Sequence, residues 1–550
     1  MSERTGPRMA IGCASGSRVE RMIEIAYLAV LSIPILVLIA FARFGVQMGI
    51  AVSMICAIMF LPLRPAFDPP LLPKMDRETL TLICVALLAF FMEKRTIRRD
   101  DADGVAPRWI PRSTLVRLLI ACALLFPLGS WLTNRDPLPA PYFDPGMSFV
   151  DYGSMTYQSA FVLLAVLVGR RFLSDPAGTR AILVAIAVAG VPYAALNALE
   201  WRLSPFLSNA IYGYDAILWW MIDRWGAYRP QLFQPVGLQN ASLMLASLMA
   251  ALVLLRDAGR QKRTLWLSVA ACCFVGWIFA WSFGAWAIGL AFGPLLMLAA
   301  RRLQALFIGL LAVAFTAYPV LTVLELIPTD AIVSFFSMFS ESRAHSLEFR
   351  FDQEKLILDR VQDRLLFGYG IGDRPFVLNP RGRSIAITDS FFILITMKFG
   401  IAGLLGKYFL VVAPLMLLAF YRKRIKPDLL TLGLAMMIGA SLVDGLVNAT
   451  LVSVRWLMVG ALIGRIEYEL ARAKTSAPET DPGSALKQAM DRSFAGARAG
   501  AGRGAISAAP SGAEPVIAAP KPSLIPPRGG RPFMARATDR AAPSLNRRQP

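Results

Sequence analysis

Residues 240–255 read NASLMLASLMAALVLL, a run of sixteen residues without a charged side chain. The basic linker RDAGRQKR at 256–263 separates it from the next run, TLWLSVAACCFVGWIFAWS at 264–282. Because a bilayer offers the backbone no hydrogen-bond partners, a segment of about 20 apolar residues must be a helix or part of a closed barrel. Runs as continuous as these favour helices, so the sequence predicts an all-α polytopic membrane protein.

Apolar runs of this kind recur along the chain, and twelve are predicted to be transmembrane helices. They lie near 22–42, 45–63, 114–132, 153–169, 181–199, 240–255, 264–282, 285–300, 304–326, 402–420, 428–446 and 449–465. A thirteenth run, 79–92, has only 14 residues between basic flanks, so it is predicted to be interfacial or incomplete. The first run is too long for a signal peptide and is interpreted as a retained span.

Composition excludes several classes of protein. Hydrophobic residues make up 56% of the chain and charged residues 17%, whereas soluble proteins carry about 25% charged residues. The net charge of +20 is concentrated in short connections and in the C-terminal tail, which is the positive-inside pattern and does not indicate a nucleic-acid partner. With His345 as the only histidine, a histidine-based metal centre or triad is nearly excluded. Neither a metal nor a cofactor is predicted. Because histidine is almost absent, carboxylates should supply any general acid or base.

The basic connections also predict the orientation. The short basic loops should be cytoplasmic, which places both termini inside, with residues 1–21 as a basic segment and 466–550 as a mostly disordered tail. The membrane domain is then 22–465. Its three longer connections, 133–152, 200–238 and 327–387, fall on the opposite, periplasmic face, where function is expected.

The third of these loops is unusually charged. Residues 327–387 contain eight Lys or Arg and eight Asp or Glu. The segment from Glu348 to Leu366, with apolar Phe349, Leu356 and Val361, is typical of an amphipathic helix lying along the membrane. An equally supported alternative is a solvated helix held by ion pairs, which would account for Lys355, Asp359, Arg360, Asp363 and Arg364.

Glycines and ionisable residues supply further candidates. Gly368, Gly370 and Gly372 follow the charged segment and permit a tight turn with close backbone approach to a ligand. Within the predicted spans, Lys407, Asp444 and Arg455 are functional candidates because charged groups are rare inside membranes. The alternative for two of them, slightly favoured, is a structural Lys407–Asp444 ion pair.

The stretch TDSFFILITMKFGIAGLLG at 388–406 resembles the O-antigen ligases, which carry a His, then Asn, Ser or Gln, nine residues, and GxxG. Asp389, Ser390, Gly400 and Gly403 reproduce this spacing, with Asp389 in place of the histidine. The resemblance implies that Asp389 acts on an acceptor hydroxyl as a general base. A helix N-cap is an equal and compatible interpretation, since Asp is favoured there.

Other stretches are similar to the same ligase and polymerase superfamily. YRPQLFQPVGLQNASLMLA at 228–246 supplies Arg229, Phe233 and Asn240, and WSFGAWAIGLAFG at 281–293 resembles a Ser-Arg-Gly-Ala motif with Phe283 in place of the arginine. Arg343, followed by Leu347 after three residues, and Arg350, ahead of the glycine-rich turn, also match. The resemblance implies that Arg229, Arg343 and Arg350 grip a lipid diphosphate, which suits arginine's planar donors.

The resemblance implies a GT-C-like inner-membrane glycosyltransferase that moves a glycan from undecaprenyl diphosphate. Its polymerase branch fits best, with another lipid-linked saccharide as acceptor and the bilayer and polysaccharide-assembly proteins as partners. One alternative is a ligase acting on a lipid A core, although Asp389 in place of histidine speaks against it. Another is a flippase or transporter, which would need charges continuing into the cytoplasmic half of the spans.

Overall fold

The computed structural model describes residues 16–67, 75–100, 109–214, 223–224, 226–338, 341–386, 390–446, 448 and 453–475. Side chains of 16–20, 94–100, 223–224, 342–343, 453 and 475 are outside this description. Residues 476–550, which belong to the predicted disordered tail, also lie outside the described residues. The described residues therefore belong almost entirely to the membrane domain.

Helices make up nearly all of the secondary structure in the described residues, which confirms an all-α polytopic protein. The first nine elements are α1 (Gly16–Leu31), α2 (Ile33–Phe60), α3 (Arg77–Asp100), α4 (Thr114–Thr133), α5 (Phe149–Phe172), α6 (Pro176–Leu203), α7 (Leu207–Tyr212) and a two-residue hairpin of β1 (Asp223–Arg224) and β2 (Ala227–Tyr228).

The remaining elements are α8 (Gly237–Asp257), α9 (Arg260–Phe279), α10 (Phe283–Leu298), α11 (Arg301–Val323), α12 (Thr329–Ser337), α13 (Glu341–Val361), a 3-10 turn (Gln362–Arg364), α14 (Phe391–Gly403), a π-helical turn (Leu404–Tyr408), α15 (Phe409–Ile425), α16 (Leu429–Asp444) and α17 (Ser453–Thr475).

Eight helical segments in the described residues are long and apolar enough to cross a membrane, namely α2, α4, α5, α6, α8, α9, α11 and the continuous stretch Phe391–Ile425. Two others, α10 and α16, are apolar but shorter. The run 79–92 belongs to α3, which packs against α2 and is not among the eight. The polytopic architecture is thus established, whereas a total of twelve spans is not.

Two glycines break helices sharply. Gly45 interrupts α2 with φ 76° and ψ −178°, and Gly400 interrupts α14 with φ 59° and ψ −155°. Both conformations lie in the region that favours glycine. The predicted span 402–420 is therefore preceded by a half-helix, 391–399, that folds back on it. A purely hydropathic count could not see this reversal, because both sides of Gly400 are apolar.

The bundle has two unlike ends. One end, called the loop face here, carries the connections 134–148, 204–236 and 324–390. The other, called the basic face, carries buried or partly buried ion pairs between helices: Arg170–Glu467, Arg171–Glu93, Arg180–Asp257 and Arg465–Asp428. These pairs fix the helix ends to one another, so the basic face is closed by side chains of opposite charge.

Helices α5 and α17 run parallel in close contact. Gly460 and Gly464 leave no room for a Cβ because the backbone of Val166 and Arg170 lies against them, as in small-residue helix contacts within membranes. Following this register back, Ser453 is level with Ser159, ten residues into α5, or about 15 Å at 1.5 Å per residue. The start of α17 is therefore recessed well below the loop face.

Candidate functional site

A cavity opens at the loop face where α11, α12 and α13 meet. Its volume is about 390 Å³, within the range of ligand sites. The wall combines apolar side chains with Tyr318 and Thr322 from α11, Thr329 and Ile332 from α12, and Arg350 and Glu354 from α13. We call it the Glu354 cavity, since this carboxylate is its most unusual wall residue.

Glu354 is half-buried although it belongs to a helix outside the membrane-spanning segments. Burial raises the pKa of its carboxyl group from 4.5 to about 7. The hydroxyl groups of Ser390 and Tyr318 and the charge of Arg350 act in the opposite direction but do not offset the burial. A carboxyl group that titrates near neutral pH can both accept and return a proton under ordinary conditions.

The phase of α13 explains this burial. Ala344, Ile357 and Val361 are 4%, 1% and 1% exposed, and Glu354 lies on the same helical stripe, three residues before Ile357. Of the three apolar residues of the predicted amphipathic helix, Val361 faces this buried side, whereas Phe349 and Leu356 are exposed. Helical spacing places a carboxylate where an apolar residue is expected, and this is the signal that could have identified Glu354 from sequence.

The other predicted residues of this segment have mixed outcomes. Arg350 lines the cavity with Glu354, as its predicted role requires. Arg343 lies on α13, but its side chain is outside the described residues. Asp389 also lies outside them. Its neighbour Ser390 is 2% exposed, and its Oγ makes no well-formed hydrogen bond among the described residues, so its interaction with Glu354 is a loose one.

The predicted glycine turn interlocks with the break at Gly400. Gly368 and Gly370 have φ of 65° and 82°. The amides of Tyr369 and Gly370 donate to the carbonyls of Met397 and Lys398 at 3.0 and 2.7 Å, closing the end of the half-helix. The glycine turn thus approaches another backbone rather than an open ligand site.

The Gly400 side of the interlock is equally tight. The amides of Ile401 and Ala402 donate to the carbonyls of Leu365 and Leu366 at 2.9 and 3.0 Å. A Cβ on Gly400 would lie 2.5 Å from the Leu365 oxygen. At Gly403 a Cβ would collide with the Phe399 side chain. Gly400 and Gly403, which match the glycine spacing of the ligases, therefore allow close packing of their neighbours. Gly372, by contrast, has open space around it.

Arg229 and Asn240 form a separate group under the 204–236 connection. Arg229 Nε donates to the Trp281 carbonyl at 3.4 Å, and Asn240 Nδ2 donates to Asn197 Oδ1 at 2.6 Å and to the Pro230 carbonyl at 3.0 Å. Both side chains are buried and neither lines the Glu354 cavity. Their described contacts hold the connection against α6, α8 and α9.

The same connection is organised by a second buried carboxylate. Glu200, 1% exposed at the end of α6, accepts hydrogen bonds from the backbone amides of Leu207, Gln231 and Leu232 at 3.0, 2.9 and 2.8 Å. Three donors satisfy a buried carboxylate. Glu200 is therefore structural, in contrast to Glu354, whose neighbours leave it facing a cavity.

Asp444 lies at the recessed end of α16. Its carboxylate accepts hydrogen bonds from Ser242 Oγ at 2.5 Å and Asn448 Nδ2 at 2.6 Å, and Arg455 is a nearby cation. Asp444, Ser242 and Arg455 line a small apolar cavity of about 70 Å³ inside the bundle. Leu446, two residues further on, lines the Glu354 cavity.

Lys407 is not part of the Asp444 group. Its ammonium group lies over the rings of Phe399 and Phe126, with 4.5 and 5.2 Å to the ring centroids. The predicted Lys407–Asp444 ion pair is absent from the described residues, and that interpretation was wrong. Cation–π contacts take the place of a carboxylate partner.

Charged side chains in the last part of the 327–387 loop bind it to the 134–148 connection. Arg374, 1% exposed, donates to Asp144 at 2.7 Å and to the Asp136 backbone carbonyl at 3.1 Å. Arg364 pairs with Asp136 and donates to the Thr133 carbonyl at 2.5 Å. The hydrogen bond from Arg364 is the main reason that the pKa of Asp136 lies below its usual value.

Comparisons with known proteins add no assignment. No family model matches the chain, and no curated protein matches it significantly. Within the described residues, no group of three or more His, Cys, Asp or Glu could hold a metal ion.

Proposed function

We propose that the protein is an inner-membrane glycosyltransferase of the polysaccharide polymerase type, acting at the Glu354 cavity. The observation that carries the proposal is a half-buried carboxyl group, with a pKa of about 7, beside an arginine in a ligand-sized cavity at the loop face. Perturbed carboxylates of this kind cluster at catalytic sites. The family resemblance of 388–406 supports the same place, because Ser390 is a neighbour of Glu354.

In the proposed reaction, Glu354 is the general base and Arg350 binds the leaving group. The acceptor hydroxyl oxygen forms a bond to the anomeric carbon of the donor sugar as the bond from that carbon to the lipid diphosphate breaks. The hydroxyl proton passes to the Glu354 carboxylate, and the bond's electron pair leaves with the diphosphate. Arg350 stabilises the diphosphate charge, for which a guanidinium group is well suited.

Asp389 precedes Ser390 in the sequence, and its proposed role in this scheme is to orient the acceptor hydroxyl. Arg229, whose described contacts lie outside the cavity, is proposed to hold the 204–236 connection rather than to contact the diphosphate. This changes the predicted division of roles, since the base is now Glu354 and the principal arginine is Arg350.

The test compares Glu354→Gln and Arg350→Gln with Glu348→Gln in membranes that make the native polysaccharide. Glu348 is on the same helix and 57% exposed, so its variant controls for the change from carboxylate to amide. We expect polymer synthesis to fall by about 100-fold or more in Glu354→Gln, the usual loss for a general base. Glu348→Gln should leave polymer length unchanged.

The lipid-linked species that accumulate identify the reaction. Single lipid-linked repeat units on the external face would support a polymerase, and full-length lipid-linked polymer would indicate a ligase. Repeat units retained on the cytoplasmic face would indicate a flippase. Normal polymer from both Glu354→Gln and Arg350→Gln would overturn the proposal.

A further inference from the structure

Helix α12 has two unlike sides. Asp330, Ser334 and Ser337 form one stripe at the i, i+4, i+7 spacing, and Ala331, Phe335 and Met338 form another. None of the α12 side chains is fully buried, and Phe335 and Met338 are 52% and 73% exposed. A short helix with an exposed apolar stripe and a polar one is typical of a membrane surface.

The helix is also the outer wall of the Glu354 cavity. Thr329 and Ile332 line the cavity from one side of α12, and the helix packs along α13, which carries Glu354. The exposed stripe of Phe335 and Met338 is therefore separated from the cavity by the thickness of a single helix.

The position of α12 follows from the end of α11. Val320, Leu324 and Leu326 are 57%, 59% and 62% exposed, so the apolar surface of this membrane span continues into the connector. Only the five residues 324–328 join α11 to α12, and they reach at most about 18 Å. Helix α12 therefore begins within that distance of the exposed apolar end of α11, and a bilayer is the occupant that fits an apolar stripe placed there.

We propose that α12 is seated in the head-group region of the bilayer, with Phe335 and Met338 in the lipid, and that a lipid-linked substrate reaches the Glu354 cavity past this helix. The lipid nature of the substrate depends on the proposed function; the seating of α12 does not. Substrate approaching from the side would keep its chain in the bilayer while its polar end enters the cavity.

The seating is tested by photo-crosslinking of the full chain in vesicles of phosphatidylethanolamine and phosphatidylglycerol. Benzoylphenylalanine is placed at position 335, at 338 or, as the matched control, at 334 on the polar stripe. We expect phospholipid adducts at 335 and 338, about tenfold more than at 334, since an interfacial helix buries only its apolar face. Equal adducts at 334 and 335, or adducts with another protein in place of lipid at 335, would overturn the seating.

The route is tested with Phe335→Asp and Ser334→Asp, which add the same charge to the apolar stripe and to the polar stripe of the helix. Phe335→Asp should lower the rate of polymer synthesis about tenfold, because a charge is expelled from the lipid, while Ser334→Asp should leave it unchanged. Lipid adducts together with a full rate in Phe335→Asp would overturn the route. Adducts together with a normal rate in Glu354→Gln would overturn the proposed function and leave the seating intact.

Discussion

The charged loop contains two parts that use charge in opposite ways. In the first, residues 327–361, Glu354 is half-buried in the wall of a cavity and Arg350 lines the same space. In the second, residues 362–386, Arg364 and Arg374 are bound by the carboxylates of the 134–148 connection. We call these the cavity part and the framework part. The difference shows that dense charge alone does not mark a site; the distinguishing feature is a buried charge facing empty space.

The largest effect is expected from Gly400→Ala, where α14 packs against Leu365 of the framework part. The new Cβ would meet the Leu365 carbonyl, and the backbone would be held at a φ unfavourable for alanine. Strain and overpacking each cost about 1–3 kcal/mol, so the apparent melting temperature in lipid nanodiscs should fall clearly. Gly372→Ala is the matched control, since its φ of 76° is similar but the space is open. An equal loss in both would show that the interlock contributes little.

The next effect is expected from Arg374→Met. Removing this side chain leaves Asp144 and Asp136 without their shared cation, and because these acids are 25% and 46% exposed the cost should be about 2 kcal/mol, below that of a fully buried pair. Thermal unfolding would measure it, with exposed Arg383→Met as control. If polymer synthesis fell while stability did not, the division into two parts would fail.

A third test concerns pH and the cavity part. Glu354 must be ionised to act as a base, so with a pKa of about 7 the rate should rise about fivefold from pH 6 to pH 7 and about tenfold from pH 6 to its plateau above pH 8. Glu354→Gln should have a low, flat profile over this range. A wild-type rate independent of pH between 5 and 8 would contradict the assignment.

The same shift has a consequence for stability. The carboxyl group titrates near 4.5 in the unfolded chain and near 7 in the folded one, so the folded state holds the proton more tightly. Its stabilising contribution is complete below pH 4.5 and is lost as pH rises through 7. Glu354→Gln should therefore lose less stability than the parent chain as the pH rises from 4.5 to 7, as scanning calorimetry would show.

The smallest effect is expected from Lys355→Met. Its ion pair with Glu325 spans 3.4 Å between side chains that are 62% and 64% exposed, and such pairs contribute about 0.5 kcal/mol or less. Stability by thermal unfolding should be unchanged within that margin. A larger loss would mean that the cavity part also depends on ion pairs, as the framework part does.

The sequence predicted the architecture well and the site only in part. The apolar runs located most of the helices of the bundle, because a bilayer requires each span to have about 20 consecutive apolar residues and such runs are visible in the sequence. The reversal at Gly400 was missed, since a backbone angle leaves no trace in hydropathy. Glu354 was missed because the stripe on α13 was drawn through Phe349 and Leu356. The Lys407–Asp444 pair failed because sequence cannot tell which buried groups face each other.

The contact between α5 and α17 stabilises the basic face without any contribution from the loop face. Gly460 and Gly464 against α5, with Arg170–Glu467 beside them, fix the basic face independently of anything the loops do. None of the residues that line the Glu354 cavity belongs to this contact, so substitutions in the cavity wall leave its residues unchanged. A chain built in this way can diversify its recognition of ligands while its assembly in the membrane stays the same.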